Sequence, residues 1–568
     1  MTTTEHRFPV LDQAVADVGR GAESWASTSI TDRITLLERM SARVLEQGAT
    51  MAEAGATAKG YDPDSAWAAE DWVTGPWALV QNISAYTHVL RRIADGLDPV
   101  PAAAMRRHRA RTLVDVFPAT NSDKLLLNGF HAEVWMDPSL TPRDVAAQAA
   151  PAYRTNTTRP RVALVLGAGN VAAISALDVL HKLIVEDTVV VAKMNPVNAY
   201  LIPIFEDVFR DFVDHDWVRF CDGGAAEGGH LASHAGVDEI HITGSARTHD
   251  AIVWGTDDAA EQRRAAGTPL LDKPIGSELG GVSPCIVVPG RWSAADFRYQ
   301  AEHIVSSKLN NAGHNCIASQ VLVLPQDWDG SDRLLDEIRR VMAELPARPD
   351  YYPGADARAD AVRTAHPDAE RCGLDSRLLV TDIADHDDVL ITEEVFASVL
   401  GVVRLPGSDA AQFLAEAVEF ANTVLPGTLG ATVIIDPGTA NTHRGAVDDA
   451  LADLRYGTIG VNVWSAFGFL LGYTPWGAFP GNTLDSIGSG VGFVHNAFQL
   501  VGVEKTILRA PFAPAPRGLL SGSVALSPKP VFFATNKTAR RTVQLVMRHT
   551  SSPSAWKLPA IFASALRG

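Results

Sequence analysis

The sequence predicts an α/β protein with two parallel-sheet regions. In residues 160–245, four short aliphatic runs alternate with segments of helical length. A second series of aliphatic runs follows Ile275, again with helical segments between them. Strands that alternate with helices form βαβ units, which build parallel sheets. The first series reads RVALVLGAG, TVVVAKM, WVRFCDGG and DEIHITGS, and the second reads CIVVP, VLVLP, LLVTDI, GVVRLP and ATVIID.

Length, charge and cysteine usage narrow the class of protein. A chain of 568 residues is long enough for two large domains, because domains run to roughly 100–200 residues. The net charge of −17 argues against binding of nucleic acid, which requires clustered positive charge. The four cysteines form no CxxC pair, so we predict no metal site and no disulfides, and we expect free thiols in the cytoplasm.

Targeting segments are not predicted. The N-terminal stretch MTTTEHRFPVLDQAV has no basic region followed by an apolar run, so we expect no secretory signal. Uninterrupted apolar runs stay below the length of about 18 residues that a membrane span requires. We therefore expect no membrane span.

Other stretches predict the surroundings of the two sheets. The N-terminal hundred residues have helical periodicity, and residues 112–136 alternate apolar and polar residues around Asn and Gly, which predicts a hairpin. Residues 255–274 indicate a surface insertion or linker, and residues 325–375 look rich in insertions. The tail 505–568 has ten Lys or Arg and no acid, which favours a solvated surface or flexible arm over a subunit-contact arm.

Two side chains have the chemistry of a nucleophile and a base. Cys316 follows a polar, glycine-containing turn and precedes an apolar strand, which would expose a thiol at a loop-to-strand junction. Glu278 lies in a glycine-rich turn at the start of the second series. Taken singly, each pattern favours an ordinary role, an inert buried thiol for the cysteine and a solvated or capping carboxylate for the glutamate.

Seven segments in order resemble the aldehyde dehydrogenase superfamily, of which the chain looks like a divergent member. Four are specific: HITGS (241–245), SELGGVSP (277–284), NAGHNCIAS (311–319) and TEEVF (392–396). Three are weaker: LGAGN (166–170), VVVAKMNP (189–196) and LRYGTIGVN (454–462). The resemblance covers roughly residues 20–500. It favours catalytic roles for Cys316 and Glu278 over the ordinary roles that each pattern alone would suggest.

The resemblance implies a fold and a division of the chain. The fold is two Rossmann-like parallel-sheet domains with a small oligomerisation hairpin. An NAD(P)-binding domain takes residues 1–111 and 137–274, and the hairpin takes residues 112–136. The catalytic domain takes residues 275–480, and residues 481–568 form a C-terminal oligomerisation segment and extension. A homodimer or homotetramer is expected, since closed symmetric assemblies are the common outcome.

The resemblance also implies roles for side chains. Cys316 is the nucleophile, Glu278 the base that activates water, and Asn170 an oxyanion donor together with the backbone N–H of Cys316. NAD or NADP is the implied cofactor. The implied cofactor-binding residues are Lys193, Thr243, Gly244, Ser245, Gly224, Gly228, Leu279, Glu394 and Phe396. Asn170 could instead only cap a helix, and Phe396 could be a core aromatic.

The cofactor motifs depart from the family pattern. Pro196 stands where the family has an acid that binds the adenosine ribose, so a 2′-phosphate is not repelled and NADP is acceptable. His249 stands where a second glycine is usual. The segment GAGNVA fits the dinucleotide fingerprint loosely, and His230, His234 and His241 have spacings typical of chance.

Three functions remain open. Hydrolytic oxidation of an aldehyde to an acid is favoured because Glu278 is retained. The first alternative is a CoA-acylating dehydrogenase or acyl-CoA reductase, in which a CoA thiol replaces water. The second is a non-catalytic binding protein on the same scaffold. The aromatic residues after LRYGTIGVN hint at a bulky or aliphatic substrate, with a packed subunit contact as the equal alternative.

Overall fold

The computed structural model describes residues 8–154, 160–407, 409–514, 517–520 and 529–568. The first seven residues of the N-terminus, over which no secretory signal is predicted, lie outside these ranges. Among the described residues, no helix combines the length and the apolar character that crossing a membrane requires.

The first part of the chain contributes five strands to a six-stranded sheet and three strands to a larger, eleven-stranded sheet. Its helices and strands are α1 Pro9–Ala26, α2 Ile30–Ala58, α3 Ala68–Trp72, α4 Ala78–Ala94, β1 Met105–His108, β2 Arg111–Phe117, α5 Asn121–Leu126, β3 His131–Met136, α6 Pro142–Gln148, β4 Val162–Leu166, α7 Ile174–Ile184, β5 Val189–Lys193, α8 Ile202–Val208, α9 Arg210–Asp214, β6 Val218–Cys221, α10 Ala225–Ser233, β7 Glu239–Gly244, α11 Ala246–Trp254, α12 Ala260–Ala266 and β8 Ile275–Leu279.

The second part contributes most of an eleven-stranded sheet. Its elements are β9 Ser283–Val287, α13 Ala294–Leu309, β10 Ser319–Pro325, α14 Gly330–Glu344, α15 Ala355–Ala365, β11 Glu370–Arg371, β12 Leu378–Val380, α16 Val389–Thr392, β13 Val399–Leu405, α17 Ala410–Thr423, β14 Gly430–Ile434, α18 Pro437–Thr442, α19 Arg444–Asp453, β15 Thr458–Val461, α20 Phe467–Leu471 and β16 Pro475–Trp476. The C-terminal part holds β17 Gly490–Val491, β18 Val494–His495, β19 Val503–Arg509, α21 Arg517–Leu520, α22 Ala539–Ser551 and α23 Leu558–Ala565.

Both sheets are parallel at their centres, which confirms the predicted α/β class. The first has the order β17-β8-β7-β4-β5-β6, with all strands except β17 parallel. The second has the order β1-β2-β3-β19-β15-β14-β9-β10-β13-β12-β11. Its strands from β19 to β12 are parallel. The central strands are buried on both faces, which explains their continuous aliphatic runs.

Two predicted boundaries differ from the structure. The second α/β region was expected to begin at Ile275, but β8 pairs in parallel with β7 and belongs to the first sheet. Its sequence, IGSEL, offers no aliphatic run that would have marked it as a buried strand. The hairpin predicted over residues 112–136 consists of β2 and β3, but β1 and α5 are added to it, and β19 pairs with β3. The hairpin therefore extends the second sheet.

The basic tail is folded onto the body over residues 529–568, so the prediction of a flexible arm is wrong there, whereas the predicted solvated surface holds for basic side chains such as Arg541 and Arg548, which are exposed. Val543, Met547 and Ile561 are buried, and α22 packs against α2, α3 and α4. Arg540 pairs with Asp64 of the body at 2.5 Å, and Lys529 pairs with Glu302 at 3.1 Å. The apolar face of α22 explains this docking, since charge alone predicts solvation.

Candidate active site

A cleft of about 1320 Å³ lies at the carboxyl ends of β4, β5 and β7. Ligands of parallel sheets bind at this edge, because loops from several strands converge there. Eleven of the twelve predicted site residues line the cleft. They are Asn170, Lys193, Gly224, Gly228, Thr243, Gly244, Ser245, Glu278, Cys316, Glu394 and Phe396.

Leu279 is the exception. Its side chain is 1% exposed and does not belong to the cleft wall. It ends β8 directly after Glu278, and residues alternate between the two faces of a strand. With Glu278 facing the cleft, the side chain of Leu279 points into the protein interior.

The loop before Cys316 is held in an unusual backbone conformation. Asn311, Ala312 and Gly313 all have positive φ, at 56°, 56° and 74°. A Cβ on Gly313 would lie 2.3 Å from the carbonyl oxygen of Ala397, so glycine is required there. Such strain persists where surrounding contacts fix it, and it is typical of functional sites.

Buried side chains fix this loop against the N-terminal part of the chain. The backbone N–H of Asn311 donates to the Glu70 carboxylate at 2.9 Å. Glu70 is held in turn by Arg348 at 3.0 Å. The Asn311 amide donates to the carbonyl oxygens of Asn170 and His314, at 2.7 and 2.9 Å. The thiol loop and the Asn170 loop are therefore one connected unit.

The thiol of Cys316 is half-buried and lies between acids. Burial raises its pKa well above the usual value, and the negative charges of Glu394 and Glu278 raise it further. The backbone N–H of Cys316 itself contacts the sulfur and lowers the pKa. The resting thiol is therefore protonated, and attack on a substrate requires a base to remove the proton.

Asn170 presents its side-chain amide beside the thiol loop. Its Nδ2 donates one hydrogen bond, at 3.1 Å, to the carbonyl of His314. An amide nitrogen carries two N–H groups, so the second can serve another acceptor. Because Asn170 and Cys316 both line the cleft, an oxyanion formed at the thiol has this N–H and the backbone N–H of Cys316 as candidate donors.

Glu278 is a buried carboxyl with unused hydrogen-bonding capacity. It is 4% exposed, and its Oε1 has no hydrogen-bond partner among the described residues. Burial raises its pKa well above the usual value, the charge of Asp178 raises it further, and a hydrogen bond from Trp476 opposes the shift. A carboxyl with a raised pKa is a stronger proton acceptor once ionised, as general-base work near neutral pH requires.

A second acid, Asp178, lies close to Glu278. Sequence reasoning missed it. Ligand atoms of Asp178, His241 and Glu278 all lie within 4.8 Å of one another. The hydroxyl of Thr243 donates to Asp178 at 2.9 Å. Burial raises the pKa of Asp178 to about 7 and lowers that of His241 to about 3, so the imidazole is neutral. The arrangement is a pair of buried carboxyls that repel each other when both are ionised.

Replacing Asp178 by asparagine should shift the pH dependence of turnover. Loss of its negative charge lowers the pKa of Glu278, so the base stays ionised to lower pH. The acid limb of kcat against pH should move down by about one pH unit, the order expected for one nearby like charge. Asp214→Asn, which removes an exposed charge on α9, is the matched control. An unmoved or raised acid limb in Asp178→Asn contradicts this coupling.

The far end of the cleft has the shape of a dinucleotide site. A Cβ on Gly224, Gly228 or Gly244 would meet no neighbour nearer than 3.6 Å, so all three positions open toward the cleft. Ser245 caps the N-terminus of α11, whose N–H groups favour an anionic ligand. Lys193 donates to the carbonyl of Gly223 at 3.0 Å, and burial lowers its pKa. The residues present thus fit a pyrophosphate and ribose.

Glu394 also lines the cleft. A Cβ on Gly280 would lie 2.2 Å from its carboxylate oxygens, so glycine is required for this close approach. Burial raises the pKa of Glu394 to about 7, and the charges of Lys308 and Arg358 oppose that shift. These two cations carried no sequence signal, because neither belongs to one of the seven segments.

Residues 351–358 belong to the stretch 325–375 that the sequence marks as rich in insertions, and they reach the site. Tyr352 and Arg358 line the cleft. The Tyr351 hydroxyl donates to the carbonyl of Asn170 at 2.9 Å. His314 packs against both tyrosines, at centroid distances of 5.0 and 5.6 Å. Of the three histidines noted in the sequence, His230 and His234 lie together at Asp12, with ring centroids 5.9 Å apart, whereas His241 lies beside Asp178.

Relatives of known sequence share part of the chain. N-succinylglutamate 5-semialdehyde dehydrogenase of Sphingopyxis alaskensis is 29% identical over 262 residues, covering 42% of this chain and 50% of that protein. The protein of that name from Ectopseudomonas mendocina is 25% identical over 429 residues, covering 71% and 73%. The chain spans about half the length of the first of these relatives.

Solved structures share the fold over most of the chain. Aldehyde dehydrogenase C from Pseudomonas syringae, in complex with NAD+ and octanal, has a TM-score of 0.59 at 18% identity, covering 89% of this chain and 90% of that one. NADP-dependent glyceraldehyde-3-phosphate dehydrogenase from Bacillus halodurans, in complex with NADP, has a TM-score of 0.56 at 18% identity, covering 88% and 91%. Both have the two-sheet architecture that the sequence resemblance implied.

The match to a family profile covers more than half of the chain. Residues 162–477 match the family described as "Aldehyde dehydrogenase family". That range runs from the first strand of the first sheet through Glu278, Cys316 and Glu394 to the strand β16. The protein belongs to the aldehyde dehydrogenase family.

Proposed function

We propose that this protein oxidises an aldehyde to a carboxylic acid with NAD(P) as hydride acceptor. The observation that carries the proposal is that Cys316, Glu278 and Asn170 line one cleft together with an open, glycine-lined cradle. A nucleophile, a base and an oxyanion donor in one cleft are the parts that acyl chemistry needs. Membership of the aldehyde dehydrogenase family supports the same activity.

The first step is addition of the Cys316 sulfur to the carbonyl carbon. The two acids that raise the pKa of the thiol, Glu394 and Glu278, are also candidates to accept its proton. Addition makes a tetrahedral thiohemiacetal whose oxyanion faces Asn170 and the backbone N–H of Cys316. Loss of one such donor costs about 3–4 kcal/mol of transition-state stabilisation.

Hydride leaves the tetrahedral carbon because the oxyanion re-forms a carbonyl. When bound, the oxidised nicotinamide ring supplies the acceptor for this hydride. The carbon that remains is a thioester on Cys316. Glu278 then takes a proton from water, the hydroxide adds to the thioester, and the acid leaves as the sulfur regains a proton. One aldehyde, one water and one oxidised cofactor give one acid, one reduced cofactor and one proton.

We also propose which residues of this cleft contact the cofactor. We assign Lys193 to a ribose, and Thr243, Gly244 and Ser245 to the pyrophosphate and nicotinamide side. Gly224 and Gly228 would leave room for the dinucleotide. Glu394 would hold the nicotinamide ribose, with Phe396 beside it. The Thr243 hydroxyl already donates to Asp178, so its contact with cofactor would use the backbone.

The chain is also proposed to form a homodimer or homotetramer in the cytoplasm. In the part of the chain that the structure describes, β1 ends the eleven-stranded sheet, and its outer edge pairs with no further strand. Open strand edges are favourable places for a second chain to add.

An assay with both cofactors tests the proposed activity. A panel of aldehydes from propanal to dodecanal is incubated with NAD or NADP, and formation of the reduced cofactor and of the acid is measured. We expect acid and reduced cofactor in equal amounts, with NADP accepted because Pro196 presents no carboxylate. Release of an acyl-CoA in place of acid when CoA is added would favour the CoA-acylating alternative. Absence of cofactor binding at any concentration would favour the non-catalytic alternative.

A further inference from the structure

Three side chains that can ligate a metal meet beside the cleft and form a buried triad. They are Asp178 on α7, His241 on β7 and Glu278 on β8. Their ligand atoms all lie within 4.8 Å of one another, and His241 Nε2 is 3.7 Å from Asp178 Oδ2. Ligands that hold zinc at about 2.0 Å in a tetrahedron lie roughly 3.3 Å apart. Small side-chain rotations would therefore bring the triad onto one ion.

Both carboxyls of the buried triad keep an oxygen atom without a hydrogen bond. Asp178 is 1% exposed and Glu278 is 4% exposed. Neither Asp178 Oδ1 nor Glu278 Oε1 has a hydrogen-bond partner among the described residues. Buried polar atoms are normally satisfied, and buried anions are normally paired or coordinate a metal. The two unpartnered oxygens therefore indicate a site for a positively charged partner.

The protein does not supply that partner from a side chain. Among the described residues, no Lys or Arg forms a salt bridge with either carboxyl. Lys182 lies one turn after Asp178 on α7, but its ammonium group pairs with Glu186 at 2.6 Å and with Glu239 at 3.1 Å. The positive charge that the two carboxyls lack must therefore come from a proton or from a bound cation.

The third member of the buried triad favours zinc over magnesium. Burial lowers the pKa of His241 to about 3, so its ring is neutral and can offer a nitrogen lone pair. Its Nε2 makes only a long contact of 3.3 Å with the Thr243 hydroxyl, which an ion would replace. Zinc accepts imidazole together with carboxylates, whereas magnesium takes oxygen ligands. The chemistry of the set is that of a zinc site.

We propose that the buried triad is an inhibitory Zn²⁺ site, with Asp178, His241 and Glu278 as ligands and water in the fourth position. Glu278 and Thr243 line the cleft, so the ion and its water enter from there. The sequence prediction of no metal site was based on cysteine spacing, which cannot reveal ligands from three separate elements. Zinc on Glu278 occupies the lone pair that accepts a proton from water.

The expected consequence is selective inhibition. Cys316 is not a ligand of the buried triad, so acyl transfer to sulfur continues, while hydrolysis of the thioester stops for lack of a base. The inhibitory effect rests on the proposed function, because it concerns the base of that same reaction. The zinc site itself does not, because it depends only on the three ligands.

Binding is tested by calorimetric titration of Cys316→Ala protein with ZnCl₂, a background that removes the thiol as a competing ligand. We expect one Zn²⁺ per chain, and affinity lower by about tenfold or more when His241→Gln is added. His230→Gln is the matched control, because it removes a ring from the surface pair at Asp12. Equal affinity with and without His241, or binding lost in His230→Gln, overturns the site.

Two further titrations remove the remaining ambiguities. MgCl₂ should give no binding at concentrations that saturate the site with zinc, and equal binding of magnesium overturns the zinc assignment. If His241→Gln does not fold, Glu278→Gln removes another ligand with little change of shape, and zinc retained at full affinity there overturns the site. No zinc bound by Cys316→Ala protein would mean that the two carboxyls share a proton only, which also overturns it.

Rapid mixing of wild-type protein with saturating zinc tests the inhibition. We expect a burst of one reduced cofactor per active site, a later phase slowed by about 10²-fold or more, and recovery on addition of EDTA. A burst abolished by zinc would place the ion on Cys316, and an unchanged or faster later phase would exclude inhibition at Glu278. Zinc binding that depends on His241, with no aldehyde oxidised by any of these proteins, would overturn the proposed function alone.

Discussion

Replacing Cys316 with alanine is expected to lower kcat for aldehyde oxidation by about 10⁵- to 10⁶-fold, the order seen when a covalent nucleophile is removed. The reason is chemical. A planar aldehyde carbon does not release hydride, because it has no oxyanion to drive the step, and only addition of the sulfur supplies one. Asn170 and Glu278 remain in the variant, but they have no adduct on which to act.

The effect should be specific to this thiol. Cys372→Ala removes a buried cysteine outside the cleft and should retain at least half of the wild-type rate. Cofactor titration by fluorescence should give the same affinity in both variants and in wild type, because neither change touches the glycine-lined cradle. Turnover by Cys316→Ala above about a hundredth of the wild-type rate would place the nucleophile elsewhere.

Glu278→Gln is expected to give the second largest effect, a loss in kcat of about 10²- to 10⁴-fold. Glutamine has the shape of the acid but cannot accept a proton from water, so acyl transfer to sulfur continues and hydrolysis stops. Rapid mixing should then show a burst of one reduced cofactor per active site, followed by slow turnover. Glu393→Gln, at an exposed neighbour of Glu394, is the matched control and should show no such burst.

The pH dependence of turnover provides an independent test of the role of Glu278. Burial raises the pKa of Glu278, so wild-type hydrolysis should fall as the pH drops through that raised value and the base is protonated. Glu278→Gln has no base to protonate, so its slow phase should lose this acid limb. Unchanged release of acyl-CoA by Glu278→Gln in the presence of CoA would contradict a hydrolytic role.

The sequence predicts the position of the site better than its detailed composition. The family resemblance implies that Cys316, Glu278 and Asn170 act together, and strand topology accounts for part of this: Asn170 and Glu278 lie at the carboxyl ends of β4 and β8, whereas Cys316 precedes β10. Eleven of twelve predicted residues accordingly line one cleft. Leu279 does not, because alternation along β8 directs neighbouring side chains to opposite faces.

The site residues that sequence reasoning missed are those whose contacts depend on tertiary structure. Asp178 lies in a helix and His241 in a strand, and nothing local indicates that they meet at Glu278. Tyr351 and Tyr352 belong to a segment that looked like an insertion because no periodic pattern marks it. The tail was judged by its charge, whereas Val543 and Ile561 determine where it packs.

The most direct measurement is the mass of the trapped intermediate. Glu278→Gln protein is mixed with decanal and oxidised cofactor, quenched in acid and digested, and the peptides are analysed by mass spectrometry. We expect one acyl group, the aldehyde minus one hydrogen, on the peptide that contains Cys316. Formation of reduced cofactor with no acyl group on that peptide, or with the acyl group on another residue, would contradict covalent catalysis by this thiol.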